Sequence, residues 1–237
     1  MVAFEWAIEL GADALELDVR RSADGALVVI HDATLERTSD RTGEVARLAL
    51  AAIRDADLGE PRDPTSPRLE GPVRIPTLEE VFARFPGLEI TVDVKDPEAA
   101  ADVVGCIEEW RRGPDTILYV EEGTRTDAFR SFEGRRATSV RQARRLVAEP
   151  AWLDRAAERE IPEVVHTPLE DGGLVLVTAG TVRRFQDAGR SVQVWTVNEP
   201  ATLRRLAEYQ VDGIITDDVR GAVRALASRV PAEGPRT

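Results

Sequence analysis

The chain has 237 residues, of which 43% are hydrophobic and 31% are charged, as in an ordinary soluble globular protein. Its formal net charge of −12 argues against a general nucleic-acid or anionic-membrane surface, but still allows a locally positive pocket for a phosphate. The single Cys106 excludes an internal disulfide framework, and no apolar run reaches the ~20 residues of a transmembrane helix, so we expect a cytoplasmic protein.

The pattern at the start of the chain predicts a helix followed by a β-hairpin. Apolar residues recur at helical spacing over Met1–Leu10. Within Ala12–Asp32, apolar and charged residues then alternate, as they do on a half-buried strand. Asp24-Gly25 is a strong turn signal, and a turn this short joins antiparallel strands, of which the second lies near residues 26–31.

Beyond the hairpin, strands and helices alternate regularly. Thr77 and Glu80 have the spacing of a capping box for a helix over Leu78–Phe85. The alternation that follows is typical of βαβ units and a parallel sheet. We predict strands over Leu88–Lys95, Thr116–Val120, Arg136–Ser139, Glu163–His166, Val192–Val197 and Gly213–Thr216. We predict helices over roughly Pro97–Arg112, Thr126–Phe132, Arg141–Ala148, Ala151–Arg159, Thr178–Ala188, Pro200–Tyr209 and Asp218–Arg229.

The number of strands favours a barrel. The six later strands and the strand that carries Glu16 make seven of parallel type, with the hairpin strand near residues 26–31 as an addition. A closed (β/α)8 barrel needs eight, so we predict an α/β protein with a (β/α)8 TIM barrel that lacks its first strand in this chain. A doubly wound open sheet is the alternative, but no glycine-rich phosphate loop follows an early strand. We expect one domain over residues 1–229 and a disordered tail over residues 230–237.

The hairpin carries the first candidate site. Residues two apart on a strand lie about 6.5–7 Å apart on one face, so Glu16 and Asp18 can converge on one hard cation. With a four-residue turn, the expected register places His31 opposite Glu16, where an imidazole can move protons near neutral pH. The alternative interpretation is a surface hairpin whose charged face is solvated.

Further candidates lie at the C-terminal ends of later strands, where a barrel has its active site. Asp93 and Lys95 repeat the spacing of two and put an acid and a base on one strand face. Three carboxylates around Mg²⁺ or Ca²⁺, with a lysine beside them, suit a phosphate ester whose oxygens gain charge in the transition state. An ordinary strand-end lysine explains Lys95 equally well. Other strand-end residues, for most of which core, turn or capping roles are the alternative, are His166, Trp195, Asn198, Asp212 and Asp217.

Four stretches of the chain carry a resemblance to a known family: GADALELDVRRSADGALVVIHDATLERTSDRTG, IPTLEEVF, VDVK and VWTVNEPATLRRLAEYQVDGIITDD. The first is similar to the signature of the glycerophosphodiester phosphodiesterases, and the resemblance continues through the other three. It covers nearly the whole chain and is weakest over residues 97–160. The resemblance implies a (β/α)8 barrel and a metal-dependent phosphoric diester hydrolase that converts glycerophosphodiesters to glycerol 3-phosphate and an alcohol.

The resemblance also implies roles for individual residues. The implied ligands of the divalent metal, Mg²⁺ or Ca²⁺, are Glu16, Asp18 and Asp93. Lys95 matches a residue that contacts the substrate phosphate, Trp195 one that lies by the substrate pocket, and His31 a histidine that serves in acid–base catalysis. The implied partner is a small glycerophosphodiester, with no nucleic acid and no stable membrane insertion; the oligomeric state stays open.

The chain departs from the family pattern at its start. The family opens with a strand that ends His-Arg-Gly and then a Pro-Glu-Asn-Thr segment. Both are absent here, together with a second catalytic histidine, a phosphate-binding arginine and another acid. Asp93 also stands where the family usually has the longer glutamate. One hypothesis is therefore an N-terminally incomplete member: the full-length protein is an active enzyme, and the chain as given hydrolyses little. This hypothesis leaves open whether a secretion signal was lost with the N-terminus. The alternatives are a non-catalytic degenerate relative and a phospholipase-D-like phosphodiesterase on the same barrel.

Overall fold

Two structural units make up the described part of the chain. The computed structural model describes residues 1–59, 71–120, 127–155 and 161–227. The first unit comprises Met1–Glu9 and Asp13–Ala137, and the second comprises Leu10–Ala12 and the chain from Thr138 onward. The predicted tail over residues 230–237 lies outside the described residues, so its disorder stays a prediction, as does the single domain over residues 1–229.

The first unit is built on a five-stranded sheet. Its strands are β1 (Ala14–Arg21), β2 (Leu27–Val29), β3 (Glu89–Val94), β4 (Thr116–Val120) and β5 (Arg135–Arg136). Its helices are α1 (Val2–Glu9), α2 (Leu50–Arg54), α3 (Leu78–Arg84), α4 (Ala100–Glu109) and α5 (Asp127–Ser131). The strand order is β2-β1-β3-β4-β5, and each neighbouring pair is parallel except β1 with β2.

The β1–β2 hairpin forms as predicted, but its register differs by one residue. Val19 lies opposite Val29, so the predicted pairing of His31 with Glu16 is wrong. The reason lies in the turn, which Ser22 and Ala26 close. The Ser22 N–H donates to the Ala26 carbonyl at 2.9 Å, and the Ala26 N–H donates to Ser22 Oγ at 2.8 Å. The predicted turn glycine, Gly25, has a φ of +89°, a conformation that glycine adopts without steric cost.

The strands are held by a buried apolar core that sequence alternation predicts. On β1, Leu15, Leu17 and Val19 are buried, whereas the residues between them are only half-buried. They pack with side chains of α3, α4 and the central strand β3, on which all residues but the first are buried. Cys106 of α4 belongs to this core. One face of β1 is therefore fixed by apolar burial, and its opposite face is left for polar side chains.

The second unit contains the remaining elements. Its strands are β6 (Val164–Thr167), β7 (Glu170–Asp171), β8 (Leu174–Val175), β9 (Ser191–Val194) and β10 (Gly213–Ile214). Its helices are α6 (Val140–Ala148), α7 (Pro150–Arg155), α8 (Ala179–Asp187), α9 (Pro200–Tyr209) and α10 (Val219–Ala227). β6, β9 and β10 form a parallel sheet in the order β10-β9-β6, and β7 and β8 form a small antiparallel hairpin.

The seven predicted strands of parallel type are all present among the described residues. β10 is shorter than predicted, because its pairing continues beyond Ile214 only through single hydrogen bonds such as that from the Ile215 N–H to the Val194 carbonyl. The β7–β8 hairpin was not predicted, although Gly172 and Gly173, with φ of +54° and +78°, carry the usual signal of a two-residue turn. Parts of three predicted helices, at 126, 156–159 and 228–229, lie outside the described residues.

None of the helices that the structure describes is long and apolar enough to cross a membrane.

A buried guanidinium secures the connection from α3 to β3. Arg112, which is 5% exposed, donates to the carbonyls of Phe82, Phe85 and Leu88 at 3.3, 2.8 and 2.5 Å. Two of these carbonyls belong to the end of α3, where backbone acceptors have no partner within the helix. Its guanidinium carbon also lies 5.0 Å from the centre of the Phe82 ring. Arg112 therefore holds the start of the central strand in place.

Replacing Arg112 with Met keeps an unbranched apolar stem but removes every donor. Because three carbonyls lose a charged donor, we expect the free energy of unfolding to fall by about 2–4 kcal/mol, as measured by chemical denaturation. Arg47, whose exposed side chain pairs with Glu44 on the surface, provides the control, and Arg47→Met should change stability by less than about 0.5 kcal/mol. Equal effects of the two substitutions would contradict this assignment.

Candidate active site

The pairing of β1 with β3 brings three carboxylates together. These strands are parallel, with Glu16 beside Thr91 and Asp18 beside Asp93. One carboxylate oxygen from each of Glu16, Asp18 and Asp93 lies within 4.8 Å of the others. We call these three residues the acid cluster. The predicted convergence of the hairpin acids with Asp93 is thus present in the structure.

The acid cluster lies at the edge of the core rather than on an open surface. Asp93 is 7% exposed and occupies the central strand between the buried Val92 and Val94, whereas Glu16 and Asp18 are half-buried. Burying a carboxylate is unfavourable unless positive charge and hydrogen bonds compensate for the lost hydration. This burial does not fit the alternative interpretation, in which the charged face of the hairpin is fully solvated.

Lys95 supplies part of that compensation. Its Nζ lies 2.6 Å from Asp93 Oδ2 and 3.0 Å from Asp18 Oδ1, and its side chain is 13% exposed. Burial alone would lower the pKa of the Lys95 ammonium, but the hydrogen bond and charge of Asp93, together with the charge of Asp18, outweigh it and raise the pKa above its ordinary value. Lys95 therefore remains charged beside the cluster.

The residues present fit a divalent cation. All three side chains offer carboxylate oxygens, the ligand type that Mg²⁺ and Ca²⁺ prefer. Their oxygens are near enough to one another to reach a common ion. Three carboxylates and one ammonium also leave two formal negative charges, which a divalent cation would neutralise. Asp93 is shorter than glutamate, yet its carboxylate reaches the cluster from the central strand.

His31 follows β2 in the chain, and its segment is attached to β1, the strand that carries Glu16 and Asp18. The residue before it, Ile30, donates its backbone N–H to the Asp18 carbonyl at 3.0 Å. The imidazole is 62% exposed, and its Nδ1 lies 2.8 Å from Asp32 Oδ1. It is therefore accessible to a ligand and fixed on one side by a carboxylate.

Asp32 and Arg37 form a pair that sequence reasoning missed. Arg37 contacts both Asp32 oxygens, through Nε to Oδ2 and through Nη2 to Oδ1 at 2.8 Å. The hydrogen bond from Arg37, and then that from His31, hold the pKa of the Asp32 carboxyl well below its usual range. An ionised carboxylate can only accept, so the His31 Nδ1 must donate to it. The sequence signal that could have revealed the contact between His31 and Asp32 is that the two residues are adjacent in the chain.

Trp195 lies in the second unit, just beyond β9. Its backbone N–H donates to the Thr167 carbonyl at 3.2 Å, and its ring centre is 5.4 Å from that of His166. The indole Nε1 is shielded from solvent and has no hydrogen-bond partner among the residues that the structure describes. Buried indole N–H groups usually have a partner, so a ligand oxygen would satisfy this one.

Two other candidates in the second unit have structural contacts. Asp212 Oδ2 accepts from the Val192 N–H at 2.8 Å and from Gln186 Nε2 at 3.0 Å, which ties the chain before β10 to β9. Asp217 and Asn198 bond to each other, with Asn198 Nδ2 3.0 Å from Asp217 Oδ2. These contacts match the turn and capping roles that were the alternative interpretation.

Comparison with known proteins gives consistent matches. The model of the glycerophosphoryl diester phosphodiesterase family matches residues 1–220. A probable glycerophosphodiester phosphodiesterase 2 of Mycobacterium tuberculosis is 33% identical over 92% of this chain and 80% of that protein. A glycerophosphodiester phosphodiesterase of Caldanaerobacter subterraneus is 29% identical over 92% of this chain and 87% of that protein. A crystal structure of a glycerophosphodiester phosphodiesterase from Agrobacterium tumefaciens matches with a TM-score of 0.68 and 26% identity, over 92% of this chain and 90% of that one.

These matches decide the fold class and the family. Solved structures of this family are TIM barrels, and both main sheets of the chain consist of parallel strands apart from β2, so the predicted α/β TIM-barrel class is confirmed. The predicted resemblance is confirmed as well. The chain belongs to the glycerophosphoryl diester phosphodiesterase family, and its enzyme class is glycerophosphodiester phosphodiesterase.

Proposed function

We propose that this chain hydrolyses glycerophosphodiesters to glycerol 3-phosphate and an alcohol at the acid cluster. Family membership supports the reaction class. The observation that carries the location is the convergence of Glu16, Asp18 and Asp93, with the Lys95 ammonium in contact with two of them. The substrate is accordingly a small molecule with a phosphodiester group.

The acid cluster would hold the divalent cation, and Mg²⁺ and Ca²⁺ are the candidates. When bound there, the cation supplies positive charge against phosphate oxygens whose charge grows in the transition state. The three carboxylates come from two neighbouring strands of one sheet rather than from loops. The ligand positions are therefore set by the sheet before any ion binds, which reduces the cost of ordering the site.

Lys95 is proposed to bind the substrate phosphate. An ammonium has three donors, and the described contacts with Asp18 and Asp93 use two of them. The third can reach a phosphate oxygen without breaking either contact. Because the two carboxylates keep Lys95 charged and fixed in position, it offers the phosphate a localised positive charge.

His31 is proposed as the acid–base group. Since Nδ1 donates to Asp32, Nε2 is the nitrogen left to accept a proton from a nucleophile or, once protonated, to give it to the leaving alcohol. Asp32 orients the ring, and Arg37 keeps Asp32 ionised and in place. The exposed imidazole edge is open to a bound substrate.

Trp195 is proposed as a substrate contact. The proposal rests on the resemblance of VWTVN to the family motif and on the shielded indole N–H described above. The comparisons give no support to impaired hydrolysis, to a non-catalytic relative or to a phospholipase-D-like enzyme. The cytoplasmic location stays a prediction.

Metal binding is tested by thermal unfolding. A cation that binds only the folded protein stabilises it, so Mg²⁺ or Ca²⁺ in excess should raise the unfolding midpoint of the native chain by a few degrees. Asp93→Asn should abolish that rise, because it removes a charged ligand from the acid cluster. The control is Asp102→Asn, at a surface carboxylate that pairs with Arg21. A rise of equal size in the Asp93 variant would refute the assigned site.

Hydrolysis is tested with glycerophosphocholine and either metal, by quantifying the glycerol 3-phosphate released. His31→Ala should lower kcat by about 10²–10⁴-fold with little change in KM, since the substitution removes proton transfer rather than binding. A lysophospholipid assayed in parallel should be a poor substrate. Preferred cleavage of the lysolipid, or undiminished turnover without the imidazole, would exclude this mechanism.

The role of Asp32 is tested separately. Asp32→Asn keeps the shape of the side chain but loses the charge that fixes the Nδ1–H tautomer, so we expect kcat to fall about tenfold or more. Glu44→Gln is the control, because Glu44 also pairs with an arginine but lies on the surface. If both variants retain the native kcat in steady-state assays, Asp32 does not orient the catalytic ring.

A further inference from the structure

Arg20 continues the polar face of β1 beyond the acid cluster. Glu16, Asp18 and Arg20 are the half-buried residues that alternate with the buried Leu17 and Val19. Side chains at this spacing share one face of a strand. Arg20 is therefore the next side chain after Asp18 toward the strand end, and its own side chain is only 17% exposed.

The Arg20 guanidinium bridges two other segments of the first unit. Its Nε donates to the backbone carbonyl of His31 at 2.9 Å. Its Nη1 donates to Asp96 Oδ1 at 2.5 Å, and the Asp96 side chain is 24% exposed. The second Asp96 oxygen accepts from the Arg21 backbone N–H at 3.0 Å, so Asp96 is itself held against β1.

These contacts connect the segments that carry the proposed reactive groups. Asp96 directly follows Lys95, whose backbone N–H donates to the Val19 carbonyl at 3.0 Å. His31 directly follows Ile30, the last residue whose backbone donates to β1 in the described hairpin. Arg20 thus holds one further residue of each segment, beyond the last backbone hydrogen bond to β1: Asp96 after Lys95, and His31 after Ile30.

We infer that Arg20 is a positioning residue for the hydrolytic reaction, which sets the place of His31 relative to the acid cluster and Lys95. This inference rests on the proposed function. The planar guanidinium donates in two fixed directions at once, which suits a bridge between a carbonyl and a carboxylate. A lysine at position 20 could pair with Asp96 but has no rigid second donor aimed at His31.

Arg21 offers a matched control one position along the chain. Its guanidinium pairs with Asp102 at 2.9 Å, and both side chains are largely exposed, at 41% and 47%. Arg21→Gln therefore removes the same charge from β1 without touching the His31 or Lys95 segments. The Arg21 backbone N–H, which donates to Asp96, is retained in that variant.

The first measurement compares kcat and KM of the native enzyme with those of Arg20→Gln, Arg20→Lys and Arg21→Gln. A displacement of about 1 Å in a reacting group can cost about 10²-fold in rate, so we expect Arg20→Gln to lower kcat by about 10–100-fold, with KM changed by less than about twofold. Arg20→Lys, which can still pair with Asp96, should be as stable to unfolding as the native enzyme but should have a kcat between those of the native enzyme and Arg20→Gln. Arg21→Gln should match the native enzyme. A higher KM with native kcat in Arg20→Gln would overturn the inference.

The second measurement repeats Arg20→Gln in a His31→Ala background. If Arg20 acts through His31, the double variant should have nearly the kcat of His31→Ala alone, because the group being positioned is already gone. A further loss as large as that in the native background would overturn the inference, since it would mean that Arg20 acts on binding or on general stability. All assays are run well below the unfolding midpoint of each variant.

The third measurement does not depend on activity. The chain has two histidines, His31 and His166, so the imidazole region of an NMR spectrum of labelled protein is simple. Arg20→Gln should shift or broaden the His31 signal and leave His166 unchanged, whereas Arg21→Gln should alter neither. An unchanged His31 signal overturns the inference even in an active enzyme. An inactive native chain with a displaced His31 signal would instead refute the proposed function.

Discussion

The in-register parallel pairing of β1 with β3 is the constraint on which the proposed site depends. It places Asp18 directly beside Asp93, with Glu16 two residues away on the same face. Neighbouring carboxylates repel each other strongly where water is excluded, and Asp93 lies on a buried central strand. Lys95 offsets part of that repulsion from the end of the same strand. A divalent cation would offset the rest, so the apolar core and the proposed metal site both depend on one strand register.

The hairpin adds His31, the proposed proton-transfer group, to this pair of strands through a series of short-range contacts. Backbone pairing carries the chain as far as Ile30, the Arg20 guanidinium holds the His31 carbonyl, and the Asp32 carboxylate holds the ring. Each contact fixes a different part of this segment: the backbone before His31, the His31 carbonyl and the imidazole ring. The proposed catalytic geometry therefore comes from side chains within a few residues of the acids, supported by Asp96, two residues beyond the end of β3.

Local patterns predicted the parts of the site that lie on single strands. The alternation on β1 and the two-residue spacing of Asp93 and Lys95 are sequence-local, and the structure brings these residues together. The hairpin register was wrong by one because the Ser22 side chain helps to close the turn, which a count of turn residues does not include. The bond from Arg20 to Asp96 joins residues 76 positions apart, and such pairs leave no periodic signal. The proposed role of Trp195 came only from family resemblance, because by residue type a tryptophan is more often part of the core than a ligand contact.

Crystals soaked with Mn²⁺ would test the central claim most directly, because the anomalous signal locates the ion without reference to activity. The account predicts one strong peak within about 2.0–2.6 Å of carboxylate oxygens from Glu16, Asp18 and Asp93, with Lys95 still beside the cluster. A well-ordered acid cluster without a peak, or a principal peak at other residues, would contradict the assignment of these three carboxylates as the metal site.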